Sequence, residues 1–287
     1  MEKQTILYQL TETSRYMMAF VLVTAENNVI VIDGGRPEDM PLLKETIGGR
    51  HISAWILTHP HLDHISGFVN EIEKNGGADF DIGAIYYNFP PYELIHRPDV
   101  PDRAYYEEEF NEMLPAFGKI EPVIREKCHI VGQGESIQVD ECRIDFIYTW
   151  HEGLVSNPMN DCSLVFKVTA PHKTVLFLGD LGPDGGDILF RESRHLLKAD
   201  IVQMAHHGHM NVGIEVYAAI APEACLWCCP DWLYNEPVVP SYFSDTERMT
   251  RMKRIRMYGT ALTRQWMDIL GVKTHYVTMN GTQKIEL

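Results

Sequence analysis

The chain has 287 residues, 45% of them hydrophobic, and a formal net charge of -15 with histidine counted as neutral. This length supports one large domain with a substantial core, while the acidic charge disfavours bulk nucleic acid and anionic membranes as partners. We therefore expect a small-molecule partner, an anionic one if a local cationic centre outweighs the field of the chain. The oligomeric state stays open.

The N-terminal third predicts strands and helices in alternation. The opening stretch "MEKQTILYQL" lacks the basic and apolar regions of a signal peptide, so we expect a cytoplasmic protein. Two apolar strands in "MMAFVLVTAENNVIVIDGG" are joined by a turn at Asn27-Asn28. "PEDMPLLKETIGG" predicts a short helix and "ISAWILT" a buried strand. "HISGFVNEIEKNGG" then spaces its apolar residues as one face of a helix does.

The rest of the chain continues this alternation. A Pro-rich loop, "PPYELIHRPDVPDR", and a helix, "AYYEEEFNEMLPAF", precede strands near "CHIVGQG", "SIQVD" and "CRIDFIYTW". "CSLVFKVTA" and "KTVLFLGD" predict a hairpin, followed by helices that alternate with the strands "DIVQMA" and "EACLWC" and by two C-terminal strands. Since the strands cluster in two groups with helices between them, we expect two sheets packed face to face with helices outside.

Two features have competing interpretations. Cys225 and Cys228 have the spacing of a redox or zinc pair, but the apolar run around them favours a buried strand, because no second pair accompanies them. The basic stretch "RMKRIRMYGTALTR", with Arg248 nearby, is either a phosphate clamp or a solvated helix face, and charge runs favour the latter. Phe89, Tyr92 and His96 form either a substrate wall or a surface turn.

The most informative stretch is "THPHLDH", which crowds three histidines and one aspartate between a buried strand and a helix. In an extended loop His59 and His61 point the same way, whereas Asp63 and His64 enter the helix and point elsewhere. One pair can then hold one metal ion and the other pair a second. Imidazole and carboxylate ligands suit zinc, and also iron or manganese.

Further ligands are expected at other strand ends. Asp180 ends "TVLFLGD", and a carboxylate there can bridge two cations; His206 and His207 end "DIVQMAHH". Asp33 ends "VIVID", where it either accepts a hydrogen bond from a ligand histidine or forms a simple Asp-Gly turn.

The set "VIDGG", "THPHLDHISG", "LFLGD" and "AHHGH", in this order, resembles the metallo-β-lactamase superfamily. The resemblance implies a four-layer αββα sandwich. The resemblance extends from about residue 17 to about residue 230, and we expect a single domain over 1–287 with an inserted loop and helix region around 89–118. By the same resemblance His59 and His61 bind a first metal ion, Asp63, His64 and the last-motif histidine bind a second, and Asp180 bridges. The last ligand directly precedes glycine in the superfamily, which indicates His207 and leaves His206 to contact substrate or donate a proton.

One position departs from the family pattern. A third histidine is expected before "CSLVFKV", but "SNPMNDCSLVF" has Asn160 there. The N-x-x-S-L pattern, with "HHG", resembles the lactamase-like domain of ComEC-type DNA-uptake proteins and phosphorylcholine esterases. His151 is a possible substitute ligand, although a loop role is favoured.

These features predict a dinuclear metal-dependent hydrolase of phosphodiesterase type, with two divalent ions, zinc favoured over manganese or iron. The predicted catalytic residues are Asp63, Asp180 and His206, and the water that attacks a small phosphodiester is activated by the metals. Asn160 and Ser163 can contact phosphoryl oxygens or support the ligands. A thioester or lactone hydrolase on the same scaffold, or a non-catalytic metal- or anion-binding protein, are the alternatives.

Overall fold

The structure is a computed structural model that describes residues 4–94, 97–100, 103–154, 157–235 and 259–287, with only the backbone over 103–112. The strands are β1 Ile6–Gln9, β2 Ala19–Val23, β3 Val29–Asp33, β4 Ile52–Ile56, β5 Ile85–Tyr87, β6 Cys128–Ile130, β7 Ser136–Val139, β8 Cys142–Tyr148, β9 Val165–Thr169, β10 Thr174–Phe177, β11 Ile201–Gln203, β12 Ala224–Trp227, β13 Thr274–Val277 and β14 Gln283–Glu286. The helices are α1 Met40–Ile47, α2 Leu62–Asn75, α3 Arg103–Ile124, α4 Pro158–Asp161, α5 Pro183–Ser193, α6 Ile214–Ile220, α7 Asp231–Tyr234 and α8 Thr260–Leu270. Among the described residues, no helix has the length and apolar character that crossing a bilayer requires.

The strands form two sheets of seven strands each. The first has the order β14-β1-β2-β3-β4-β5-β6, and the second the order β13-β12-β11-β10-β9-β8-β7. Strands β3 to β6 are mutually parallel, as are β10 to β13, while the remaining neighbours pair antiparallel. Each sheet therefore has a parallel half, whose carboxyl ends share one edge.

Side-chain alternation along the strands builds three apolar layers. Phe20 and Ile32 of the first sheet pack with Phe146, Phe166 and Phe177 of the second, between the sheets. Side chains on the outer face of the first sheet pack with α1, α2 and α3, and those of the second sheet with α5, α6 and α8. The predicted four-layer αββα sandwich is confirmed. The two-sided apolar strands are the reason, because each sheet must be covered on both faces.

Helix α3 is longer than its sequence pattern predicts. The pattern ended the helix at Phe117, but the helix continues to Ile124 and contains Pro115 and Pro122. Its buried side chains Phe117, Ile120 and Ile124 pack on the first sheet. This tertiary burial outweighs the cost of proline in a helix interior, about 3 kcal/mol.

Cys225 and Cys228 are buried at and after β12, and all six cysteines are free thiols. The structure therefore agrees with the buried-strand interpretation of "EACLWC" rather than a redox or zinc pair.

Candidate metal centre

The predicted ligands meet at the edge where the parallel strands of both sheets end. Asp33 ends β3, the histidine-rich loop follows β4, and Asp180 follows β10. His206 and His207 follow β11, and Asn160 lies in α4, just before β9. Strand ends of rigid sheets are common places for functional side chains.

His59, His61 and Asp180 form one group whose potential ligand atoms all lie within 4.8 Å of one another. His59 Nε2 lies 3.0 Å from His61 Nδ1 and 3.8 Å from Asp180 Oδ2. His59 and Asp180 are buried, whereas His61 is half-buried and lies on the solvent side of the group.

Asp63, His64, Asp180 and His207 form a second group within the same 4.8 Å limit. Asp63 Oδ2 lies 3.0 Å from His207 Nε2, and Asp180 Oδ1 lies 3.2 Å from His64 Nε2. All four side chains are buried. The two groups share Asp180, which is the division that the sequence predicts.

Two buried atoms in the second group have no hydrogen-bond partner among the described residues. They are His64 Nε2 and Asp180 Oδ1, which lie 3.2 Å from each other but do not meet the geometry of a hydrogen bond. An unpaired polar atom in the interior costs about 1–3 kcal/mol, so such atoms require an explanation. A divalent cation shared by imidazole nitrogens and carboxylate oxygens would satisfy both, and this donor set suits transition metals. The residues therefore fit the metal ions that the sequence predicts, while their role as ligands remains a prediction.

Asp33 and Thr58 hold His64 in position. Asp33 Oδ2 lies 2.7 Å from His64 Nδ1, and the Thr58 hydroxyl donates to the same carboxylate oxygen at 2.8 Å. The Thr58 backbone N–H donates to Asp33 Oδ1 at 2.8 Å. With its proton on Nδ1, His64 directs Nε2 toward the second group, as metal-ligating histidines do. Asp33 therefore makes the hydrogen bond to a candidate ligand histidine that the sequence predicts.

His207 is held by the segment after β12, a contact that the sequence did not predict. Its Nδ1 donates to the Cys228 carbonyl oxygen at 2.8 Å, and the Cys229 thiol donates to the His207 carbonyl oxygen at 2.6 Å. Nε2 of His207 is thereby free to face Asp63. His206 and His207 both have positive φ, 48° and 53°. Such backbone strain in residues other than glycine is typical of functional sites.

Gln203 joins two of the ligand loops and was also missed. Its Oε1 accepts from the Leu178 N–H at 2.8 Å, and its Nε2 donates to the Gly179 carbonyl at 3.0 Å. His206 N–H donates to the same Gly179 carbonyl at 3.0 Å. A polar residue inside the apolar run "DIVQMA" was the sequence signal for this clamp, since a buried amide needs partners.

Ser163 supports Asp180. Its Oγ accepts a hydrogen bond from the Asp180 backbone N–H at 2.9 Å, and its side chain is fully buried. Gly179, with φ of 56°, brings its backbone so close that an added Cβ would lie 2.9 Å from Ser163 Oγ. Of the two roles predicted for Ser163, the structure favours support of a ligand over contact with substrate.

The two carboxylates keep their charge at neutral pH. Burial raises the pKa of Asp63, but its hydrogen bond to His207 and the charge of His64 outweigh burial and lower the pKa below its usual value. The pKa of Asp180 is also held well below its usual range, because the charges of His64 and His207 overcome the effect of burial. Ionised carboxylates are the form that binds metal.

The candidate ligand histidines differ in the direction in which their pKa values are shifted. Burial and the nearby charge of His64 lower the pKa of His59 well below its usual value, which favours the neutral ring. Burial acts the same way on His64, but Asp180 and Asp33 raise the pKa of His64 well above its usual value. The pKa of His207 is raised by Asp180 and Asp63 against the effect of burial. Metal binding by His64 and His207 would therefore release protons.

Asn160 contacts His206 and not the predicted ligands directly. Asn160 Nδ2 lies 3.1 Å from His206 Nε2, and the Met210 carbonyl lies 3.3 Å from His206 Nδ1. These partners favour a neutral ring with its proton on Nδ1, and burial lowers the pKa of His206 accordingly. Asn160 Oδ1 is buried and has no hydrogen-bond partner among the described residues.

Asp161, beside Asn160, is a buried carboxyl that the sequence did not single out. Its Oδ1 accepts from the Gly185 N–H at 2.9 Å, at the start of α5, while Oδ2 has no hydrogen-bond partner among the described residues. Burial raises the pKa of Asp161 to about 7, although the hydrogen bonds from the backbone of Gly185 and Gly182 oppose the rise.

Asp161 should make the fold less stable as the pH rises. Between about pH 4 and about pH 7 the folded chain keeps a proton that the unfolded chain loses, so the free energy of unfolding falls with pH. Asp161→Asn removes this dependence, and should gain about 2 kcal/mol relative to wild type between about pH 5.5 and about pH 8. Urea unfolding of the metal-free proteins at both pH values measures the difference. Glu73→Gln, at an exposed carboxyl, is the control; a parallel shift of both variants with pH would contradict the assignment.

The other sequence candidates belong to neither ligand group or lie outside the described residues. Phe89 packs against Tyr87 and Phe117 beside α3, and Tyr92 packs with Val100 and Met159, so both have packing roles. His151 lies against the ring of Tyr148 and belongs to neither ligand group. His96 and residues 248–256 of the basic stretch lie outside the described residues. Arg264, which is described, packs over the ring of Tyr234 at 5.0 Å.

Part of the chain is similar to a known protein family. Residues 18–132 match the model of the metallo-beta-lactamase superfamily. Over this segment, less than half of its length, the chain is similar to that superfamily. The matched segment includes β2 to β6 and the histidine-rich loop, whereas Asp180 and His207 lie beyond it. No curated protein matches the sequence.

Solved structures extend the likeness over the whole chain. The metallo-beta-lactamase fold protein YhfI from Bacillus subtilis is 11% identical, with a TM-score of 0.54 over 99% of this chain and 100% of that one. CmlA, a diiron beta-hydroxylase from Streptomyces venezuelae, is 11% identical, with a TM-score of 0.56 over 100% of this chain and 55% of that one. This chain thus spans about half the length of CmlA. At these identities the similarity establishes the metallo-β-lactamase fold.

Proposed function

We propose that this protein is a dinuclear metal-dependent hydrolase that cleaves a small phosphodiester. The observation that carries the proposal is the sharing of Asp180 between the two ligand groups. Its Oδ1 faces His64 Nε2 at 3.2 Å, and its Oδ2 faces His59 Nε2 at 3.8 Å. Its Oδ2 also lies 3.6 Å from His207 Nε2, so this carboxylate borders histidines of both groups, a position suited to a ligand shared by two cations.

The residues of the site would have two kinds of role, binding the metal ions and orienting the ligand histidines. Two divalent ions, when bound, supply Lewis acidity that lowers the pKa of a water and stabilises charge on the attacked group. Asp63 and Asp180 would hold the ions as anionic ligands, and Asp33 and Cys228 orient the imidazoles of His64 and His207. Imidazole and carboxylate ligands suit zinc, and also manganese or iron.

The preference for a phosphodiester rests on the sharing of Asp180 by the two ligand groups and on Asn160. Two cations bound by groups that share Asp180 would suit in-line displacement, in which the attacking and leaving oxygens both need stabilisation. Asn160 stands where the superfamily pattern has a histidine, and its N-x-x-S-L context resembles that of phosphorylcholine esterases and ComEC-type domains. The net charge of -15 favours a short or weakly charged substrate over long polyanions.

A parallel assay tests the substrate class. The metal-loaded protein, with zinc or manganese, should hydrolyse bis-p-nitrophenyl phosphate faster than nitrocefin or a glutathione thioester. Asp180→Asn should lose this activity, which excludes a contaminating enzyme. Turnover of the lactam or the thioester, with none of the phosphodiester under either metal, would overturn the substrate class. Binding without turnover of any of them would favour a non-catalytic protein.

A further inference from the structure

Two aromatic side chains lie in series beside the second ligand group. The ring of Tyr16 contacts His207 edge-on, with centroids 5.0 Å apart. The ring of Trp232 contacts Tyr16 in the same manner at 6.0 Å. Trp232 is 59% exposed, and Tyr16 is half-buried, so this pair, Tyr16 and Trp232, runs from a predicted ligand to solvent. We name it the aromatic wall.

The wall is assembled from distant parts of the chain. Tyr16 lies in the loop between β1 and β2, and Trp232 lies in α7, after β12. The guanidinium group of Arg36 lies over the Tyr16 ring, with Cζ 5.8 Å from the ring centre. An exposed tryptophan by itself has no special meaning. Here, however, Trp232 contacts Tyr16, and Tyr16 contacts His207 of the candidate metal centre.

We propose that the aromatic wall binds a flat, apolar substituent of an anionic substrate whose charged group lies at the ligand groups. This inference rests on the proposed function for the position of the anion. An anion beside His207 would place its substituent one ring away, against Tyr16 and Trp232. Aromatic side chains contribute large apolar contact areas and favourable ring-to-ring contacts. Arg36 adds positive charge on the same side, which suits an anion that carries an aromatic group.

The test compares two probes that differ only in the ring. Phenylphosphonate and methylphosphonate are titrated into the zinc-loaded, full-length protein by calorimetry. Wild type should bind phenylphosphonate roughly three- to tenfold more tightly, the range expected for one aromatic contact. Trp232→Ala should remove this preference and leave methylphosphonate binding unchanged. Tyr16→Phe should keep the preference, because the ring remains.

The controls separate this inference from the proposed function. Ile269→Ala, at a side chain that is 74% exposed on α8, should bind both probes as wild type does. Zinc content of each variant should equal that of wild type. If Trp232→Ala removes the preference for phenylphosphonate and Tyr16→Phe and Ile269→Ala keep it, the aromatic wall binds the ring, even if the protein hydrolyses no phosphodiester. Equal affinity of wild type for both probes, no binding of phenylphosphonate, or equal loss of both probes in Trp232→Ala would overturn it.

Discussion

Replacing Asp180 with alanine should strip metal from both ligand groups at once. Asp180 is the one residue common to both, and its two oxygens face different histidines. Without Asp180, the first group has only the two imidazoles of His59 and His61. The negative charge that would offset the repulsion between two cations is also lost. We expect wild type to hold about two equivalents of transition metal after dialysis, as a dinuclear site requires, and the variant to hold well under one.

Elemental analysis of the dialysed proteins measures this effect. The kcat/KM of Asp180→Ala should fall by more than roughly a hundredfold, since changes to groups that merely support ligands already cost ten- to a hundredfold. Asp184→Ala, at a half-buried carboxyl in the first turn of α5, is the matched control and should keep its metal. Unchanged metal content in Asp180→Ala would show that this residue is no bridge.

The adjacent histidines after β11 should respond in opposite ways to substitution. His207 Nε2 faces Asp63 at 3.0 Å, whereas both ring nitrogens of His206 face other partners, Asn160 and Met210. His207→Ala should therefore lose metal from the second group. His206→Ala should keep its metal and lose roughly a hundred- to ten-thousandfold in kcat, the range for a group that transfers a proton during the reaction.

Metal titration followed by steady-state kinetics separates the two variants. Spectroscopy with cobalt in place of zinc gives a readout that does not depend on turnover: the ligand-field bands should change in His207→Ala and stay as in wild type in His206→Ala. His195→Ala, at an exposed histidine after α5, controls for the loss of an imidazole elsewhere. The reverse pattern, with metal lost from His206→Ala alone, would exchange the two assignments.

Much of the fold and of the grouping of the candidate ligands could be predicted from the sequence, because both follow from local patterns. Apolar runs predict the strands, and their ends place Asp33 at the end of β3 and Asp180 and His206 shortly after β10 and β11. The spacing within "THPHLDH" divides its side chains between two directions, and the structure shows the same division. The length of α3 was beyond such patterns, since proline weakens the local signal and only packing on the first sheet sustains the helix.

Only the tertiary structure decided how the ligands are held and what surrounds them. His207 meets Asp63 across 144 residues, and its ring is oriented by the carbonyl of Cys228. A backbone carbonyl leaves no mark in the side-chain sequence, so this partner was invisible there. The pairing of Tyr16 with Trp232 and the burial of Asp161 are equally non-local. The periodicity of the strands determines at which strand ends the candidate ligand side chains lie. The packing of loops that are distant in sequence determines which atoms contact and orient those side chains.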